Sequence, residues 1–323
     1  MTSNAKSTRS STRHYGPAAV ALAATAALTA VCAGCSSSSG GGSGNPLAEG
    51  GGDGGTVVVG SNNFAESTLL ADIYGEALKA KGVKVTYKPN IGSRETTYGL
   101  LQNGTITVLP EYNGSLLAYL DKKAAPKSLA DTTAAIKAKL DTELTLLEPS
   151  PAQDKDSVTV NAQTARKYGL TGKSSIADLE PFAKDLVIGG SPEFQTRHQG
   201  LTGLKSVYGL QFKSFKALDA GGPLTQTALK NNTVQVADVF TTDPTITKEK
   251  FVVLQDPQNL FGFANVQPLV RKSGLPQKGV DALNAVSAKL DTATLLELDT
   301  QVQLQKKDPL DVARAWLKSA GLD

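Results

Sequence analysis

Residues 57–90 read VVVGSNNFAESTLLADIYGEALKAKGVKVTYKPN, and residues 100–114 read LLQNGTITVLPEYNG. Val57, Val58 and Val59 make a short apolar run ended by Gly60, the pattern of a buried strand. Leu69, Leu70, Ile73, Tyr74, Ala77 and Leu78 then recur at helical spacing, with Glu66 and Ser67 near the start and Gly82 as the stop. Val83, Val85 and Tyr87 alternate as a second strand. Ser93 is placed to cap a helix that carries Tyr98, Leu100 and Leu101 and ends at Gly104, and Ile106 to Leu109 reads as a third strand. Strand–helix–strand–helix–strand is the signature of an α/β lobe. Ligands in such lobes gather at the carboxyl ends of the strands, here Gly60 to Phe64, Ile91 to Arg94 and Pro110 to Gly114.

Upstream of this lobe, Lys6, Arg9, Arg13 and His14 precede an apolar run from Ala18 to Val31. At about fourteen residues the run is too short to span a bilayer comfortably, and its flanks predict a signal peptide. The only two cysteines of the chain, Cys32 and Cys35, close it. Cys32-Ala33-Gly34-Cys35 resembles a bacterial lipobox, with Cys32 where Leu or Val is usual, so Cys35 is the expected lipidation site, and acyl chains there would anchor the protein to the outer leaflet. Residues 1–35 are read as this leader. Residues 36–55, rich in Ser and Gly, are read as a flexible tether.

The remainder, about 270 residues, is long enough for two lobes with a sizeable core. The formal net charge is +3, and cleavage would remove Lys6, Arg9 and Arg13. With no basic run interleaved with aromatics, nucleic acid is not an expected partner. Helical signals follow at Leu116 to Leu120 and, capped by Ser128 and Asp131, at Thr132 to Leu140. Leu144 to Leu147 reads as a strand broken by Pro149-Ser150-Pro151, the expected hinge. A second lobe then opens with the strand Ser157 to Val160, the Asn161-capped helix, and the strands Leu186 to Gly190, Phe212 to Leu218, Val234 to Phe240 and Phe251 to Leu254. The strand Val266 to Val270 is the candidate for a return to the first lobe, and three amphipathic helices finish the chain. The expected division is residues 56–153 plus 265–323 for lobe I and 154–264 for lobe II.

Catalytic chemistry finds little support. Beyond the leader the one histidine is His198, there is no Gly-x-Ser-x-Gly elbow, and Asp154 and Asp156 have no nearby histidine to complete a metal site. No cofactor, metal or enzyme activity is expected; a carboxylate-pair hydrolase and a structural surface lipoprotein are the alternatives from other classes.

Four motifs, in order, resemble the substrate-binding proteins of osmoprotectant ABC importers, the ProX-like (OpuAC/OsmF-type) family: Gly60-Ser61-Asn62-Asn63-Phe64-Ala65-Glu66, Pro110-Glu111-Tyr112-Asn113-Gly114, Glu193-Phe194-Gln195-Thr196-Arg197 and Thr242-Asp243. The resemblance implies a type II periplasmic-binding-protein fold, two lobes joined by crossover strands, that closes as a monomer on a small solute and hands it to a membrane permease with a cytoplasmic ATPase. It also implies a tyrosine cage for a quaternary ammonium such as glycine betaine, choline or carnitine, held by cation–π attraction. Tyr112 matches the first ring. The second falls on Asp156, the third on Phe240 and the fourth on Ala264, beside Phe263. Asn62 stands where lysine is usual, Arg94 where a small hydroxyl residue is usual, and Arg197 matches an arginine that grips a betaine carboxylate. Asn62, Arg94, Tyr112, Asp156, Arg197, Phe240, Thr242 and Phe263 are therefore the candidate ligand-binding residues. Asp156 in place of a ring suits a cation or the hydroxyls of a neutral polyhydroxylated or phenolic solute. Arg94 suits a ligand carboxylate, or pairs with Asp156 or Glu111.

Overall fold

The computed structural model describes residues 55–124 and 126–323. The valine run becomes β1 (Thr56–Gly60) and the following periodic segment α1 (Ala65–Ala80). Val57 and Val59 pack with Leu69, Leu70, Ile73 and Leu78 of α1 in one core, while Val58 packs on the opposite side with Ile106 and Leu109. Both faces of β1 are thus covered, which is why its sequence is apolar throughout instead of alternating. Gly82 stops the helix with φ +68°, a backbone that residues with a Cβ adopt reluctantly. β2 (Lys84–Lys88) and α2 (Arg94–Gln102) follow.

The third strand is β3 (Val108–Tyr112), two to three residues beyond the Ile106 to Leu109 reading. Its position is set by long-range pairing. After β4 (Leu144–Leu146), β5 (Val158–Val160), β6 (Val187–Gly190), β7 (Ser214–Ala217), β8 (Val236–Asp238) and β9 (Val252–Val253), the chain returns as β10 (Val266–Arg271). β10 pairs antiparallel with β3 along Val266↔Tyr112 to Val270↔Val108. Pro110 faces Pro268 in this ladder. Two facing residues without N–H groups are tolerated because antiparallel bonds fall on alternate pairs. The Pro-Glu-Tyr segment is thereby strand, fully buried, and α3 (Asn113–Leu120) starts immediately after it.

The two sheets are built alike. The first has the order β2-β1-β3-β10-β4 and the second β7-β6-β8-β5-β9. In each, three parallel strands are joined by an antiparallel fourth: β10 beside β3 and β5 beside β8. The connections between the sheets run side by side. Ser150 and Val266, Val266 and Ala152, and Asp154 and Ala264 are joined by N–H···O bonds of 2.8–3.0 Å, and Gln153 bridges Asn265. The Asn265 side chain donates to the Ser150 carbonyl at 2.9 Å. The helices near the C-terminus, Gln277–Lys289 and Pro309–Ala320, pack on α1 and belong to the first sheet's half. Ser128 and Asn161 cap their helices with side-chain oxygens as expected. Ser93 precedes α2, but its hydroxyl accepts no backbone N–H. Among the described residues no helix is long and apolar enough to cross a membrane. Cys35 lies outside them.

Candidate functional site

A small cavity lies where the carboxyl ends of the strands of the two sheets meet. Asn62, Asn63, Phe64, Ser93, Arg94, Tyr112 and Ser115 line it from the first sheet's half, and Asp154, Asp156, Ser191, Glu193, Arg197, Ala220, Asp238 and Phe240 line the rest. It leaves only about 50 Å³ open to water-sized molecules.

The first wall is held by hydrogen bonds between its own residues. Asn62 is buried; its N–H donates to Ser67 Oγ at 2.9 Å, and its Oδ1 accepts from the Thr97 hydroxyl at 2.8 Å. Arg94 sits at the first turn of α2 and reaches Glu111 with three contacts of 2.9–3.0 Å. This two-pronged match between guanidinium and carboxylate is the strong form of the ion pair. Glu111 is fully buried and also accepts the Tyr112 N–H at 3.0 Å. Of the pairings open to Arg94 in the sequence, the one formed is with Glu111.

Three rings share the cavity. Phe64, at the entry to α1, lies 5.9 Å from the Tyr112 ring and 4.9 Å from the Phe240 ring, tilted at 37° and 54°. Phe64 was part of the first quoted motif but not among the candidate residues. It supplies a ring between the other two where the resemblance implied only Tyr112 and Phe240. The Tyr112 hydroxyl donates to Glu66 Oε1 at 2.5 Å. From the opposite half, the Thr242 hydroxyl donates to Glu66 Oε2 at the same distance. Thr242 therefore stands behind the cavity and ties the two halves together through Glu66. Asp299 approaches the same carboxyl. Burial, with Asp299 adding repulsion, pushes the Glu66 carboxyl well above its usual range. Asp299 is itself raised to about 7, chiefly by burial.

The second wall is rich in carboxylates. Asp154 is 4% exposed; its Oδ1 accepts from the Thr241 hydroxyl and the Thr242 N–H, both at 3.2 Å. Burial, then the nearby Glu66, pushes it well up. Asp156, two residues on, is half-buried and raised by burial, against the pull of Arg197 and Arg94. Asp238, at the end of β8, is also 4% exposed, and its Oδ1 has no hydrogen-bond partner. Burial, with Asp156 adding, raises it well above the usual carboxylate range. Asp154, Asp238 and Phe64 escaped selection because their convergence is through space; only the i, i+2 spacing of Asp154 and Asp156 hinted that both face one way.

Arg197 crosses between the halves and pairs with Glu95 at 2.8 and 3.1 Å. Burial works against the Glu95 charge, but the hydrogen bonds from Arg197 outweigh it and hold that carboxyl down at about 2. Phe263 is not brought to the cavity. It lines a separate surface cavity with Leu117, His198 and Leu260, with Lys155 Nζ 5.9 Å from its ring centre. Its backbone packs tightly on α3: a Cβ on Gly114 would stand 1.9 Å from the Phe263 carbonyl oxygen. Ala264 is wholly buried in the first core.

Two α/β halves, joined by two adjacent connections and enclosing a cavity at their strand ends, define a type II periplasmic-binding-protein fold. The profile of the OpuAC family, described as the substrate binding domain of the ABC-type glycine betaine transport system, matches residues 55–319, and the chain belongs to that family. It is 29% identical over 280 residues to the glycine betaine-binding protein YehZ of Escherichia coli K12, covering 82% of this chain and 90% of that one. It is 28% identical over 283 residues to a glycine-betaine-binding protein of Pseudomonas aeruginosa, covering 84% and 90%. In fold it is similar to the crystal structure of a glycine betaine/carnitine/choline ABC transporter protein, with a TM-score of 0.64, 23% identity, and coverage of 82% and 99%. The chain is thus a solute-binding component of ABC import, as its motifs implied.

Proposed function

We propose that this protein captures a small osmoprotectant-type solute with a quaternary ammonium head, such as glycine betaine, choline or a relative, by closure of two lobes, and delivers it to a membrane permease driven by a cytoplasmic ATPase. In this reading the lobes are residues 56–153 with 265–323 and residues 154–264, hinged at the paired connections. The observation that carries it is the meeting of Phe64, Tyr112 and Phe240 with Asp154, Asp156 and Asp238 around one cavity. Ring faces and carboxylates both attract a fixed positive charge, and exclusion of water on closure strengthens both. Asn62, Arg94 and Arg197 shape the walls, and Thr242 secures closure through Glu66. A neutral polyhydroxylated or phenolic solute is not favoured, because it offers the three aspartates no positive charge.

The protein acts in this reading as a monomeric binding protein without enzymatic turnover, on the outer face of the membrane, held there by lipid on Cys35. Calorimetric titration with glycine betaine, choline, carnitine, a sugar and a simple phenol tests the solute class. Stoichiometric binding of one or more quaternary ammonium compounds, with none of the sugar or phenol, is the expected result. Heat from the sugar or phenol alone would overturn it.

A further inference from the structure

We propose that the second wall makes the site selective for a monocationic solute that carries a hydrogen-bond donor, with Asp238 as the specificity-determining acceptor, and that it disfavours a zwitterion bearing a carboxylate. The inference rests on the transport reading above and narrows its solute. Two observations lead to it.

Charge comes first. Asp154, Asp156, Glu193 and Asp238 line the cavity, against Arg94 and Arg197. Each arginine already has a carboxylate of its own, Arg94 with Glu111 and Arg197 with Glu95. A ligand carboxylate would find no unengaged guanidinium and would face several aspartates in a dry cavity, where like-charge contacts are most costly. A cation meets Asp154, Asp156, Glu193 and Asp238 across a cavity whose two arginines are already paired.

Hydrogen bonding comes second. Asp154 has partners from Thr241 and Thr242, but Asp238, which lines the cavity, has a buried Oδ1 with no partner. A buried polar atom left without a partner is destabilising. A solute hydroxyl or N–H would satisfy it; methyl groups or a carboxylate would not. An ammonium head against the rings, with a short arm ending in a hydroxyl at Asp238, meets both conditions.

The experiment is calorimetric titration of the purified protein at pH 8 with choline, the methyl ether of choline and glycine betaine, repeated on Asp238→Asn. Choline should bind about 100-fold more tightly than glycine betaine and about 10-fold more tightly than its ether. Asp238→Asn should weaken choline by about 30-fold and leave glycine betaine unchanged or tighter. Glycine betaine binding as tightly as choline, or ether and alcohol binding equally, overturns the inference while leaving the transport reading intact. Failure of all three to bind removes the quaternary-ammonium reading on which the inference rests, and the inference with it. The comparison of ligands on the unmodified protein needs no variant, so it decides even if Asp238→Asn does not fold; if that variant folds and weakens all three ligands equally, Asp238 is not the selective group.

Discussion

The two walls of the cavity handle buried charge in opposite ways. The first closes its polar groups on one another: Arg94 on Glu111, Asn62 on Ser67 and Thr97, Tyr112 on Glu66. The second leaves carboxyl groups without partners of their own at the cavity, most plainly Asp238, where burial disfavours the charged form until a cation arrives. A wall whose charges are internally paired is rigid and indifferent to the sign of what approaches. A wall with unpaired carboxyl groups is one that a cationic ligand completes. The first wall is thus a platform and the second a selector. The two arginines repeat the contrast. Arg94 is 10% exposed with a fully buried partner, while Arg197 and Glu95 are 30% and 43% exposed and lie on opposite sides of the cleft.

Breaking the platform should have the largest effect. Arg94→Ala leaves Glu111 buried without a counter-charge, and the expected loss of stability is about 3–5 kcal/mol, read as a drop in the urea midpoint. Loss below about 1 kcal/mol would show that Glu111 finds another partner or takes up a proton at little expense. Asp299→Asn sharpens the comparison from behind the platform. Asp299 is buried against Glu66, with Asp154 and Asp243 adding repulsion and Gln303 donating at 3.2 Å. Its carboxyl is raised from 3.8 to about 7, so the folded protein holds a proton that the unfolded chain has already released. The stability from this group is therefore complete below about pH 4 and is lost as pH rises through about 7. An asparagine removes the charge that must otherwise be buried at high pH. Asp299→Asn should gain about 2 kcal/mol at pH 8 relative to the unmodified protein and almost nothing at pH 4. Equal shifts at both pH values would mean that Asp299 does not carry the extra proton.

How far this site was legible in the sequence follows from which contacts are local. β1, α1 and β2 were readable because their apolar spacing is a property of consecutive residues, and the caps at Ser128 and Asn161 act within three residues. The end of β3 was not, because pairing with β10, more than 150 residues later, converts Pro110 to Tyr112 from loop into strand. The charge balance was half visible. Arg94 has Asp156 and Glu111 as possible partners in the sequence, and only the fold selects Glu111, 17 residues away. Glu66, Asp238 and Asp299 become a site only when two sheets and a C-terminal helix converge. For the fourth ring a motif position is a one-dimensional guide: Ala264 lies in the first core and Phe263 lines a different cavity, and neither placement is local in sequence.

Rings and charge can also be separated by variant. Phe64→Ala removes the middle ring of the three while leaving every carboxylate in place. Binding of a quaternary ammonium should weaken by about 1–2 kcal/mol, roughly 5- to 30-fold, with its preference between choline and glycine betaine unchanged. A change in preference instead would mean that Phe64 positions the selector wall through its contact with Phe240.

The smallest effect on stability should come from Arg197, and that is where the comparison is most informative. An ion pair this exposed contributes about 0–1 kcal/mol, so Arg197→Ala should barely move the urea midpoint, in contrast to Arg94→Ala. Its partner Glu95 is on the other side of the cleft, so the pair forms only when the lobes meet. What it contributes should appear in closure: release of a bound solute should quicken by up to about 5-fold, the rate equivalent of the same 0–1 kcal/mol, and the difference should shrink in high salt, where exposed pairs are screened. Removing Arg197 also deletes one of two positive charges from the cavity's edge. If Arg197 gripped a ligand carboxylate in preference to Glu95, glycine betaine would lose far more affinity than choline on this substitution. If Glu95 keeps it, both solutes lose alike, and the arginine is a latch between the lobes instead of part of the selector.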